Sequence, residues 1–157
     1  GRSPASALMR ANKLILADSQ ADLFLSAIYL VLETVTGRVT FSNAGHNRPL
    51  LYRAATGTLD ELTQQGIILG AFEDITLQDD RIDLAPGDVL VLYTDGVTDA
   101  LNRAGQEFGE QRLFDVASSS AHGSAQQVLA AIKAALTEFI GDTEQADDIT
   151  CVVVKRV

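Results

Sequence analysis

Pro86-Gly87-Asp88-Val89-Leu90-Val91-Leu92-Tyr93-Thr94-Asp95-Gly96 is the stretch on which the fold turns. Val89 to Tyr93 is an unbroken apolar run, and it sits between the turn Ala85-Pro86-Gly87-Asp88 and Thr94-Asp95-Gly96. A run of that length, bounded by turn residues, predicts a fully buried strand. Its natural partner lies at the far end of the chain, where Ile149 to Lys155 is a second strand preceded by Asp147-Asp148. If the two strands pair antiparallel in one sheet, the end of the first and the start of the second share an edge. Asp95, Asp147 and Asp148 would then meet without any proximity in sequence.

The surrounding elements agree with such a sheet. Ser3-Pro4 reads as an N-cap with proline at the first helical position, and the helix runs through Leu8, Met9, Leu14 and Ile15 towards Asp18. Leu23 to Leu32 and Arg38 to Asn43 are β-rich runs on either side of Glu33-Thr34-Val35-Thr36-Gly37, a hairpin signal. Pro49 to Arg53 is a third strand, and Thr56-Gly57 turns the chain into Thr58-Leu59. Ile75 to Leu84 is extended but polar, as an edge strand would be. Two helices follow the central strand. One covers Glu110 to Ser118; the other is capped by Ser124, carries Val128, Leu129, Ile132, Leu136 and Phe139 on one face, and stops at Gly141. Strands joined by tight turns pair antiparallel, so the class is α+β with a largely antiparallel sheet, in one domain without repeats.

Composition limits what the chain can be. With 157 residues, 46% hydrophobic and 21% charged, it can bury a core without staples. A net charge of −9 argues against binding nucleic-acid backbones. No run approaches the roughly 20 apolar residues of a membrane span, and no export signal is visible. The chain opens at Gly1-Arg2-Ser3-Pro4 with no Met, which reads as a piece of a longer protein. Cys151 is the sole cysteine and sits in an apolar run, where a buried, inert thiol is expected; this suits a reducing cytoplasm.

Clustered carboxylates repel unless a cation neutralises them, and an all-oxygen set suits Mg²⁺ or Mn²⁺ rather than zinc. Asp and Gly also dominate turns for conformational reasons, so spacing alone leaves both readings open and leans to the turn. Tyr93 stands where a haloacid-dehalogenase nucleophile would be, and there is no Walker loop, dinucleotide fingerprint or serine-hydrolase elbow. His46, between Gly45 and Asn47, reads first as a hydrogen-bonding loop anchor. His122 lies in a polar loop and is expected to be exposed.

Four segments in fixed order resemble a known family. They are Phe41-Ser42-Asn43-Ala44-Gly45-His46-Asn47-Arg48-Pro49-Leu50-Leu51, Gly66-Ile67-Ile68-Leu69-Gly70, Pro86 to Ala100 with its Thr94-Asp95-Gly96 core, and Gln145-Ala146-Asp147-Asp148-Ile149-Thr150. Together they are similar to the sporulation stage II protein E and RsbU type of phosphatase, the bacterial regulatory branch of the type 2C (PPM) superfamily.

That resemblance implies a truncated PPM-type sandwich of antiparallel sheets flanked by helices, with residues 1–157 as a single partial domain. It implies hydrolysis of phosphoserine or phosphothreonine with two Mn²⁺ or Mg²⁺ ions and no covalent phosphoenzyme. Asp95 and Asp147 would be metal ligands, Asp148, which stands where many relatives have asparagine, would be a further candidate ligand, and Asn43, Gly45, His46 and Gly96 would border the site. The implied substrate is a phosphorylated STAS-domain regulator of sigma-factor control. Two further aspartates, from glycine-rich motifs upstream of the opening helix, are not found here, and Asp18 and Asp22 do not replace them. The chain alone is therefore expected to be inactive. The alternative is a non-catalytic module that keeps a phosphatase-like docking surface, and exposed edges lead us to expect a homodimer.

Overall fold

Ser3 and Asp79 begin the first helix. Ser6 N–H donates to Ser3 Oγ at 3.3 Å and Ala5 N–H to Asp79 Oδ1 at 2.7 Å, so an N-cap and an anion satisfy the free donors of α1, Pro4–Asp18. The computed structural model of the chain describes residues 3–18, 24–145 and 147–157. Leu23, Asp22 and Ala146, which entered the reading above, lie outside the described residues. The chain forms two compact units, Gly1–Arg48 with Thr63–Leu84 and Pro49–Leu62 with Ala85–Val157.

The first unit carries α1 and an antiparallel sheet of order β1-β2-β5, with β1 at Ala27–Glu33, β2 at Arg38–Ala44 and β5 at Asp80–Asp83. The expected hairpin joins β1 to β2: Glu33 pairs with Arg38, and Gly37, at φ 78°, donates its N–H to Glu33 O at 2.8 Å. Ala5 and Leu8 of α1 are buried with Ala44, Leu69 and Leu77. Asn12 is also buried, and its amide is fully used: Nδ2 donates to Phe72 O at 2.9 Å, and Oδ1 accepts from Gly70 N–H at 2.7 Å. The extended segment expected over Ile75–Leu84 pairs only at Asp80–Asp83, because Leu77 leaves the strand direction to join the α1 core. It is an edge strand, as its polarity predicts.

The second unit carries a sheet of order β4-β3-β6-β7, with β3 at Leu50–Arg53, β4 at Thr58–Glu61, β6 at Val89–Tyr93 and β7 at Cys151–Lys155. All its ladders are antiparallel. Val89, Leu90 and Val91 are at most 1% exposed, so each contributes about 1.5–3 kcal/mol by leaving water. A four-residue helix follows β6, α2 at Asp95–Thr98, where a simple turn was expected. α3 spans Gly109–Ser120 and α4 Ala125–Ile140. Ser124 and Gln127 close a capping box at the start of α4: Gln127 N–H donates to Ser124 Oγ at 3.2 Å, and Ser124 N–H to Gln127 Oε1 at 2.7 Å. Val128, Ile132 and Leu136 of α4 are buried in the core with Phe108 and Leu113. Leu129, expected on that face, is 38% exposed at its margin. No helix among the described residues is long and apolar enough to cross a membrane.

Candidate functional site

β6 and β7 fix the geometry of the acidic segments. Their ladder pairs Val89 with Lys155 and Tyr93 with Cys151, so β6 ends where β7 begins. Beyond that point Thr94 continues the connection. Its N–H donates to Thr150 O at 3.0 Å; its hydroxyl donates to Asp148 O at 3.0 Å and accepts from Thr150 N–H at 3.0 Å. Gly96 completes the seam, because a Cβ there would overlap the Asp148 carbonyl oxygen. A residue without a side chain is required by this close approach, not by its backbone angles. The two acidic segments are therefore adjacent through their backbones, while the expected meeting of the three carboxylates is not found among the described residues.

The carboxylates themselves are exposed. Asp95, Asp147 and Asp148 all lie at the surface. Asp95 Oδ1 accepts from Gly96 N–H at 3.0 Å and Asp147 Oδ1 from Asp148 N–H at 2.7 Å, while Gln145 Nε2 donates to Asp147 O. A cleft of about 40 Å³ beside them is lined by Gly96, Asp99, Glu144 and Asp147, among others. Sequence reading passed over Asp99 and Glu144, and only their position after α2 and α4 places them here. Among the described residues no three His, Cys, Asp or Glu side chains are grouped to hold a metal ion. The donors thus fit Mg²⁺ or Mn²⁺ in kind, being hard carboxylate oxygens, and fall short in number.

Neither ionisable residue at the end of the ladder offers a nucleophile. Burial pushes the Cys151 thiol up to about 11. Burial, then Glu110 and Glu61, push the Tyr93 phenol up to about 12. Both hold their protons at neutral pH.

In the first unit, Asn43, Gly45 and His46 form a locked turn. Buried Asn43 accepts from His46 N–H at 2.7 Å through Oδ1 and donates from Nδ2 to His46 O at 2.9 Å. Its own N–H donates to Gln64 Oε1 at 2.9 Å. Gly45 has φ 73°, and a Cβ there would overlap the Ile68 side chain. The His46 ring meets Ser26 Oγ at 3.0 Å through Nδ1. His46 thus enters the turn through its backbone, and its ring makes one exposed contact, to Ser26. His122 is exposed as expected, with an edge-on contact to Tyr52 at 6.0 Å between centroids.

A mixed α and β chain with antiparallel sheets and this seam has the PP2C-type phosphatase fold. Over 99% of its length it superposes on 62% of the SiaA-PP2C domain of Pseudomonas aeruginosa, with TM-score 0.86 and 23% identity. It also superposes on the RsbU and RsbW domains of Rv1364c from Mycobacterium tuberculosis, with TM-score 0.75, 22% identity, and 99% and 42% of the two chains covered. The chain belongs to the stage II sporulation protein E (SpoIIE) family, whose family model matches residues 1–157. Two relatives are Protein IcfG of Synechocystis, 31% identical over 85% of this chain, and the phosphoserine phosphatase RsbU of Bacillus subtilis, 27% identical over 99% of it. The chain spans only 21% of the former and 46% of the latter.

Proposed function

We propose that the protein to which this chain belongs is a metal-dependent phosphoprotein phosphatase, with residues 1–157 forming part of its catalytic domain. The carrying observation is the seam of Thr94, Gly96 and Asp148, which holds two aspartate segments together at one end of a sheet. The naming of the RsbU relative as a phosphoserine phosphatase supports the same reading. The reaction class is hydrolysis of a phosphate monoester: a water oxygen bonds to phosphorus, and the serine or threonine oxygen leaves and takes up a proton. Bound Mn²⁺ or Mg²⁺ would offset charge on the phosphoryl oxygens and lower the pKa of water. Asp95 and Asp147 would hold the cation, completed by ligands that the described residues do not supply. Asp148 contributes through its backbone carbonyl, which anchors the seam. The substrate in this reading is a phosphorylated STAS-type regulator in the cytoplasm, as the family resemblance implies.

A second reading has its own support. In it the chain by itself is a docking module without catalysis, a reading to which the small number of grouped carboxylates among the described residues lends weight. Assaying the full-length parent and the 157-residue chain side by side on a phospho-STAS protein, with and without Mn²⁺, separates the two. Metal-dependent release of phosphate by the parent, abolished by Asp95→Asn, is the expected result. A fully active Asp95→Asn parent would remove Asp95 from the site, and an inactive parent with intact fold would favour docking.

A further inference from the structure

In the second unit, the margin of α4 borders an open cavity of about 430 Å³. Leu129, Lys133 and Thr137, spaced at i and i+4, form one wall, and Ile149 and Cys151 form the opposite one. Val97 of α2 closes one end. The volume lies within the range of small-molecule sites, which are mainly apolar with a few polar groups that orient the ligand. This cavity has that composition. Leu129 turns an exposed aliphatic side chain towards it, and Lys133 is the only charged residue on its walls. Among the described residues the Lys133 ammonium has no carboxylate partner. In a chain of net charge −9, an isolated cation at an apolar mouth favours one kind of guest.

We infer that this cavity is a binding site for a small amphipathic monocarboxylate, with its alkyl chain along Leu129, Ile149 and Cys151 and its carboxylate at Lys133. The site is separate from the carboxylate seam but adjoins it covalently. Val97 is two residues after Asp95, and Ile149 follows Asp148 directly. A guest would touch both acidic segments at once and brace them against each other, which makes the cavity a regulatory site for the seam. Any guest that binds only the folded chain also raises its melting temperature.

The test uses decanoate as the probe, with decanamide as its uncharged match, on the 157-residue chain. Cys151 is the chain's only cysteine, so its rate of labelling by a thiol reagent reports occupancy directly. Decanoate is expected to slow labelling saturably and raise the melting temperature. Lys133→Met should weaken decanoate about fivefold, the worth of a partly screened ion pair, and leave decanamide unchanged. Leu129→Trp, at an exposed position, should fill the cavity and abolish protection of Cys151 while preserving the unfolding transition. The proposal is overturned by protection of Cys151 that is absent or does not saturate with decanoate, by decanamide binding as well as decanoate, by decanoate affinity that ignores Lys133→Met, or by protection that survives Leu129→Trp.

Discussion

Tyr93 faces Cys151 across the last rung of the β6–β7 ladder, and from that rung the Asp95 and Asp147-Asp148 segments leave the sheet side by side. Everything the candidate site can do depends on how closely those two segments approach. The approach is set at Gly96, where a Cβ would overlap the Asp148 carbonyl.

Gly96→Ala therefore tests the seam. In a helix, glycine to alanine normally stabilises by up to about 1 kcal/mol. Here the added methyl meets backbone, which cannot rotate away, and we expect a net loss of about 1–3 kcal/mol. Thr94→Val, which removes the hydroxyl bonds to Asp148 O and from Thr150 N–H, should cost about 1–2 kcal/mol by itself. Urea midpoints measure both. An unchanged or raised midpoint for Gly96→Ala would mean that the segments separate without cost.

Asp95→Asn and Asp147→Asn should act on chemistry and not on folding. Both carboxylates are exposed and bear like charge, so neutralising either leaves the melting temperature level or slightly higher. In the full-length parent the same changes should lower phosphate release by about 100-fold or more, since several kcal/mol of charge stabilisation is removed. The isolated chain, lacking a three-ligand group among its described residues, should bind Mn²⁺ only weakly, on the order of millimolar. Paramagnetic broadening of the Asp95 and Asp147 amide signals reads that affinity. Tight binding by the chain alone would show that the ligand set is larger than these carboxylates.

How far the sequence reveals this arrangement depends on the range of the forces involved. β6 was legible because five apolar residues between two turns suit a strand and are short for a helix, and the adjacency of the segments that carry Asp95 and Asp147-Asp148 followed from its antiparallel partner, whereas their three carboxylates form no group among the described residues. α2 was not legible: it is four residues long, and its N-cap Thr94 makes no side-chain capping bond, so tertiary contacts and not local propensity hold it. Leu129 looked like core because periodicity gives the direction of a helical face but not its width. Asp88 read only as part of a Pro-Gly-Asp turn, since its partner Arg53 lies 35 residues away.

Asp88 is nevertheless a buried charge, and it gives the fold a pH dependence. It is 1% exposed, and Arg53 Nη1 donates to it at 2.8 Å, with the N–H groups of Ala54 and Ala85 each at 2.9 Å. Burial alone would raise its carboxyl, but those donors together hold it below its usual value of 3.8. A depressed folded-state pKa gives stability that is present above the unfolded value and lost as pH falls through the folded one. Asp88→Asn should therefore cost about 3–5 kcal/mol near neutrality, as breaking a buried pair does. The gap from wild type should narrow as pH falls below 3.8. Thermal melts of both proteins across acid pH measure it, and a gap independent of pH would mean that Asp88 acts through shape and not charge.

Asn43 and His46 separate a structural loop from a chemical one. The Asn43 amide holds the turn through the backbone of His46, not through its ring. Asn43→Ala strands the half-buried N–H and C=O of His46 and should cost about 1–2 kcal/mol. His46→Ala keeps both of those bonds and loses only the ring contact to Ser26, which is worth about 1 kcal/mol or less at an exposed site. The parent's activity completes the comparison. If the loop only supports the fold, His46→Ala keeps phosphate release within about threefold of wild type, since 1.4 kcal/mol is tenfold and nothing of that size is removed. A larger fall in activity at unchanged melting temperature would assign the His46 imidazole to the reaction, because no stability argument accounts for it.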